Sequence, residues 1–266
     1  MKLAILGGSF NPVHIGHLFL ADEVLSKLNY DRVILVPAFQ SPLKIDAGGA
    51  LPQDRLEMLA ASISGDPRLT IDECELNREG VSYTIETLID IIERYRPEGK
   101  PGLIMGDDLV ASFDSWQKPQ DIAELVDFVI ARREGPEALS NFSYPYRALN
   151  NEVMNVSSSL VREKIGKTDA WRYLVPSGAR CIIEDRGLYG FAKSTTEIYS
   201  TKDNAGVEEK IYPSELNLAN DRLESLEDEE MFLLFVNRTL IYIFPKRCLS
   251  EQQKTELSAY FGDKGI

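Results

Sequence analysis

Short apolar segments that alternate with helix-forming stretches constrain this chain more than any other feature. Lys2–Leu6, Arg32–Pro37, Leu69–Asp72, Pro101–Met105, Phe128–Arg132 and Tyr146–Leu149 read as strands. Several are wholly apolar, and a strand without a polar face belongs in a sheet buried on both sides. Leu18–Leu28, Pro52–Ser64, Ser82–Arg96 and Pro119–Leu125 read as the helices between them. Repeated strand–helix–strand units join parallel strands, so the expected architecture is α/β with a doubly wound parallel sheet. Ligands of such sheets bind beyond the carboxyl ends of the strands, where the strand order reverses.

Further along, Ser157–Ser159 followed by Leu160–Ile165 has the pattern of a capped helix start. Trp171–Leu174, Pro176 and Cys181–Ile183 suggest another small helical region, closing at Gly187–Tyr189. The composition then shifts. Residues 194–230 are rich in Ser, Thr, Asn, Asp and Glu and end in the acidic run Glu227–Glu230. Met231–Val236 and Thr239–Phe244 flank Asn237-Arg238 as a β-hairpin would. Ser250–Phe261 has the pattern of a final amphipathic helix. The expected organisation is a main domain over 1–190 and a small α+β module over 191–266.

With 44% hydrophobic and 27% charged residues, the chain of 266 residues has the composition of a globular protein. A net charge of −13 argues against partners such as nucleic acid and anionic membranes. No run approaches the ~20 apolar residues of a membrane helix, and the N-terminus enters a strand without the pattern of a signal peptide. Cys74, Cys181 and Cys248 are too few and too scattered for a disulfide framework or a cysteine metal site, which suits a cytoplasmic setting. An anionic substrate would need a local group of cations within this negative molecule.

Residues 7–17, Gly-Gly-Ser-Phe-Asn-Pro-Val-His-Ile-Gly-His, supply such a group. They follow the first apolar strand and precede a helix, where exposed backbone N–H groups and the positive end of the helix dipole favour a phosphate. Gly7 and Gly8 permit a tight turn and Pro12 stiffens it. His14 and His17, the chain's only histidines, can each donate to phosphate oxygens. A metal reading of this pair lacks a third histidine or a suitably spaced acid, so no metal ligands are assigned.

This segment resembles the signature of the HxGH nucleotidyltransferase superfamily, and further matches resemble its bacterial nicotinate-nucleotide adenylyltransferases. They are Val36-Pro37 with Ser41–Lys44, Arg55–Leu59, Glu75–Arg78 with Ser82–Leu88, Met105–Leu109 with Phe113 and Trp116, Arg132-Arg133, and Val156–Arg162. They run in order over residues 1 to 190. The resemblance implies a Rossmann-like fold. It also implies adenylyl transfer from ATP, with Mg²⁺, to nicotinate mononucleotide, giving deamido-NAD and pyrophosphate in NAD biosynthesis.

Carried over residue by residue, Gly8, Ser9 and Phe10 would line the adenosine and phosphate turn. His14 and His17 would hold ATP phosphates, with Ser158, Ser159 and Arg162 opposite them, and Asp108 would shape the adenosine side. His14, His17 and Arg162 would carry the catalysis. Tyr83, Thr84, Trp116 and Arg133 would hold the pyridine nucleotide. The second loop of the family usually carries a histidine near Pro42. Leu43 stands there instead, which leaves Lys44 as that loop's substrate contact. Asn11 replaces the more common aspartate and Ser159 a threonine. Rival readings are a sister enzyme acting on nicotinamide mononucleotide and a non-catalytic nucleotide sensor. The end of the chain resembles YcxB-like proteins, with no chemistry implied; it would cover the sheet or make a homo-oligomer contact.

Overall fold

In the computed structural model, residues 1–41, 49–133, 142–167 and 169–191 are described in full. Beyond them the strands 198–201, 208–211, 223–227, 231–236 and 239–245 are described as backbone. Two units divide the chain, Met1–Phe191 and Ala192–Ile266.

The first unit is built on the strands β1 (Leu3–Gly8), β2 (Arg32–Pro37), β3 (Leu69–Ile71), β4 (Gly102–Gly106), β5 (Asp127–Ala131) and β6 (Tyr146–Leu149). They form one sheet in the order β3-β2-β1-β4-β5-β6, every pair parallel. Gly8 at the end of β1 lies opposite Pro37 of β2, and Gly106 at the end of β4 opposite Ala131 of β5. The strand order reverses between β1 and β4, which puts the crevice of a doubly wound sheet beyond those two strand ends.

The helices are α1 (Ile15–Leu28), α2 (Pro52–Ile63), α3 (Cys74–Arg78), α4 (Thr84–Tyr95), α5 (Pro119–Leu125), α6 (Ser158–Gly166) and α7 (Ser177–Arg186), with a 3₁₀ stretch at Asp107–Ser115. Two apolar clusters bury the two faces of the sheet. One gathers Leu6, Val24, Met58, Val161 and Ile183. The other gathers Ile5, Ile34, Leu88, Met105 and Phe113. The wholly apolar strands therefore lie where an all-parallel sheet needs them.

Two expected boundaries move. The first helix starts at Ile15 rather than Leu18, because the backbone N–H of His17 already bonds the His14 carbonyl at 3.0 Å. The Ser82–Arg96 helix runs from Thr84 to Tyr95, since Ser82 is engaged with the loop after β2. In the second unit Leu223–Glu227, Met231–Val236 and Thr239–Pro245 form an antiparallel sheet, and Ile198–Thr201 pairs antiparallel with Glu208–Ile211. The expected hairpin is thus one part of a three-stranded sheet. The expected helix at 250–261 lies outside the described residues.

Buried Asp72 follows β3. It accepts the Cys74 N–H at 3.0 Å, opening α3, and both prongs of the Arg94 guanidinium from α4 at 2.8 Å. Burial pushes its carboxyl up, but hydrogen bonds from Arg94, Tyr95 and Cys74 outweigh this and lower it to about 2. A carboxyl depressed on folding stabilises above its unfolded value and loses that stabilisation as pH falls through its folded value. Urea unfolding at a series of pH values should show about 2 kcal/mol of stability disappearing between about pH 4 and 2. Asp72→Asn removes that dependence, and an unchanged pH profile in the variant contradicts the assignment.

Candidate active site

The loop between β1 and α1 is held from several directions. The His14 backbone N–H donates to His17 Nδ1 at 3.2 Å. With Nδ1 accepting, the neutral His17 ring carries its proton on Nε2, which makes that nitrogen a donor. The two imidazoles lie 3.6 Å apart between centroids, and Phe10 packs edge-on to His17 at 4.9 Å. His14 is 3% exposed and His17 half-buried. Gly16 separates them because a Cβ there would lie 2.8 Å from Val156 and 3.1 Å from the His14 ring.

Helix α6 then docks onto this loop from 151 positions away in sequence. Ser157 caps the helix, its Oγ accepting the Leu160 N–H at 3.1 Å. Ser158 Oγ donates to the Pro12 carbonyl at 2.9 Å. Arg162 donates to the Asn11 carbonyl at 2.7 Å and to Ser159 Oγ at 3.3 Å. The side-chain oxygen of Asn11 accepts from the Ala50 N–H at 3.2 Å and the Tyr189 O–H at 2.8 Å. Burial pushes the Tyr189 phenol up, with Arg162 and Arg55 only partly opposing, so it stays a proton donor. Gly8, Ser9, Phe10, His14, His17, Ser158, Ser159 and Arg162 are thereby assembled around one loop at the end of β1. Imidazoles, a guanidinium, hydroxyls and two helix N-termini meet here, groups whose chemistry suits an anion.

Across the switch point, β4 ends at Gly106. Asp107 is buried and accepts the Arg133 backbone N–H at 2.8 Å, joining the ends of β4 and β5. Asp108 pairs with the Arg133 guanidinium at 3.3 Å. The family resemblance assigns these two side chains to different substrates, and the structure joins them in one ion pair. A Cβ at Gly106 would lie 2.1 Å from Asp108 Oδ1 and 2.9 Å from Arg133 Cδ, so only glycine leaves that pair its place. Trp116 closes the 3₁₀ stretch with its ring 5.3 Å from Phe113. Its Nε1 is buried and makes no hydrogen bond among the described residues. Tyr83 and Thr84 form the N-terminus of α4, where backbone N–H groups are free of helical partners. Lys44, with Leu43, lies outside the described residues.

Three residues gained no role from the sequence. Asn11 reads as a variant of aspartate and Tyr189 as a terminal landmark, yet their side chains bond each other and fasten the loop after β1. Arg55 matched a motif, but it is 4% exposed and donates to the Ser9, Ala38 and Phe39 carbonyls at 2.6, 2.7 and 3.1 Å. The signal for it was an arginine on the buried side of an amphipathic helix.

Residues 5–164 match the cytidylyltransferase-like family, and residues 224–261 match YcxB-like proteins. The chain is 40% identical to the "probable nicotinate-nucleotide adenylyltransferase" of Treponema pallidum, over 71% of this chain and 99% of that protein. It is 36% identical to the protein of the same name from Geobacillus kaustophilus, over 77% of this chain and 94% of that one. In fold it resembles Plasmodium falciparum nicotinic acid mononucleotide adenylyltransferase complexed with NaAD. The TM-score is 0.59 and the sequence identity 20%, with 73% of this chain and 99% of that chain covered. With the histidine loop, the α6 arginine and the reversal point arranged as described, the chain belongs to the nicotinate-nucleotide adenylyltransferase family.

Proposed function

We infer that this protein transfers the adenylyl group of ATP to nicotinate mononucleotide, releasing pyrophosphate and forming deamido-NAD in NAD biosynthesis. The observation that carries the reading is the docking of Ser158 and Arg162 onto the His14–His17 loop, which joins two distant motifs into one phosphate-binding cradle. The family relationship supports the choice of acceptor.

The chemistry asks little covalent work of the protein. The phosphate of the mononucleotide is already anionic, so an oxygen of it attacks the α-phosphorus of ATP without a general base. The bond from that phosphorus to the bridging oxygen breaks, and pyrophosphate leaves with the electron pair. Positioning and charge stabilisation supply the catalysis. His14, His17 and Arg162 stabilise charge on the α-phosphate and the leaving group; Ser159, whose Oγ accepts from Arg162, adds a hydroxyl donor, and Ser158 holds the loop through the Pro12 carbonyl. Gly8, Ser9 and Phe10 seat the adenosine end beside Asp108. Trp116 stacks on the pyridine ring, the α4 N-terminus at Tyr83-Thr84 receives its carboxylate, and Arg133 and Lys44 add positive charge on the acceptor side.

Among the described residues no three His, Cys, Asp or Glu side chains gather to hold a metal ion. Mg²⁺ would enter with ATP, bound to its phosphates. No described helix is long and apolar enough to cross a membrane. A cytoplasmic location suits ATP as substrate.

Labelling the α-phosphate of ATP tests the direct route. With nicotinate mononucleotide present, label should enter deamido-NAD in step with pyrophosphate release. Label on the protein after incubation with ATP alone, detected by mass spectrometry as an adenylyl adduct, overturns it.

A further inference from the structure

We infer that Arg55 is a positioning residue that couples the two substrate loops, so that each nucleotide tightens the binding of the other. The inference rests on the ATP and mononucleotide sites proposed above. Arg55 lies on α2, in neither loop. Its Nη1 donates to the Ser9 carbonyl at 2.6 Å, in the phosphate loop after β1, and to the Ala38 carbonyl at 2.7 Å, in the loop after β2. Its Nη2 reaches the Phe39 carbonyl at 3.1 Å. The β1–β2 ladder closes with the Ala38 N–H on the Gly8 carbonyl at 2.9 Å, and beyond it the guanidinium spans both chains.

The second loop passes the restraint on. The Phe39 N–H donates to Ser82 Oγ at 3.0 Å, the Ser82 N–H donates to the Gln40 carbonyl at 2.9 Å, and Gln40 bridges to Val81. Thr84 begins α4 two residues later. Hydrogen bonds thus run from Ser9 in the ATP loop, through one buried guanidinium, to the backbone before the helix N-terminus that receives the acceptor. A nucleotide that orders one end restricts the carbonyls at the other. The second nucleotide then meets a loop whose ordering cost is already reduced. The chemistry asks for an arginine: a planar guanidinium holds three carbonyls in two loops at once, whereas a lysine ammonium is a compact point charge.

The test titrates the full chain with an ATP analogue whose α–β bridging oxygen is a methylene, with and without saturating nicotinate mononucleotide. The reverse titration follows. In the wild type each ligand should tighten the other by about fivefold or more, and by the same factor in both directions. Arg55→Lys and Ser82→Ala, each checked for folding by circular dichroism, should bring that factor below about twofold. A merely structural arginine would alter stability without changing the coupling between ligands. If Arg55→Lys does not fold, Ser82→Ala decides alone: it removes the Phe39 N–H bond to the Ser82 hydroxyl and leaves only the backbone link to Gln40, so the coupling should still fall. Undiminished coupling in the folded variants, or none in the wild type, overturns the inference. Failure of the functional reading is distinct: the wild type would then release no pyrophosphate with nicotinate mononucleotide, and the coupling would be measured with whichever mononucleotide binds.

Discussion

Alanine at position 17 lowers turnover by about 10²–10³-fold, the usual cost of removing one preorganised donor to developing charge. The His17 ring is held by Phe10 at its edge and by the His14 N–H on Nδ1, so Nε2–H is aimed without any reorganisation during reaction. Water that fills the place of the ring is not held in this way. The KM for the mononucleotide should change little, because His17 stands in the first turn of α1 and the residues proposed for the acceptor stand beyond β4 and at α4. Steady-state pyrophosphate release, with circular dichroism to confirm folding, checks this. Near-wild-type turnover would remove His17 from the mechanism.

Arg162→Ala should cost a similar factor, about 10²–10³ in kcat/KM for ATP, for two combined reasons. The variant loses a permanent cation in a molecule of net charge −13. It also releases the Asn11 carbonyl that Arg162 holds at 2.7 Å, loosening the turn that presents the histidines. Hydrogen bonds to charged groups contribute about 1.5–3 kcal/mol each, so the melting temperature should fall as well. Arg162→Lys restores the charge but not the planar donor pair, and should recover only part of the rate. Ser159→Ala removes a neutral hydroxyl and should cost less than about tenfold, near 1 kcal/mol. Equal losses in Ser159→Ala and Arg162→Ala would contradict this division of roles. The two arginine variants and Ser159→Ala are compared in one kinetic series at saturating mononucleotide.

The sheet was legible because several of its strands are apolar along both faces, the pattern of a doubly covered parallel sheet, while the edge strands β3 and β6 are only partly buried. β2 and β4 are buried almost throughout, as their sequences require. The 3₁₀ stretch at Asp107–Ser115 was not legible, since Asp107-Asp108 with nearby serines reads equally well as a turn. The first turn of α1 was hidden by Gly16, which lowers helix propensity but is needed for clearance beside Val156 and His14. In the candidate site, the residues proposed to act through their own chemistry stood out: histidines, serines at a cap, a tryptophan in a polar stretch. Residues that act by holding backbone did not. The partners of Arg55 are carbonyls, which leave no trace in a sequence, and Asn11 uses its amide oxygen for Ala50 and Tyr189. The Asp108–Arg133 pair was missed because it spans two strand ends that become neighbours only in the folded sheet.

The most direct test of the central claim is pyrophosphate release by the full chain from ATP. It compares nicotinate mononucleotide, nicotinamide mononucleotide and phosphopantetheine as acceptors. The account predicts turnover with the nicotinate nucleotide, deamido-NAD as the product, and a kcat/KM at least about tenfold above that of the amide. A factor of that size is what one charged recognition contact of about 1.4 kcal/mol provides. Preference for the amide, turnover with phosphopantetheine, or nucleotide binding with no pyrophosphate from any acceptor would contradict it.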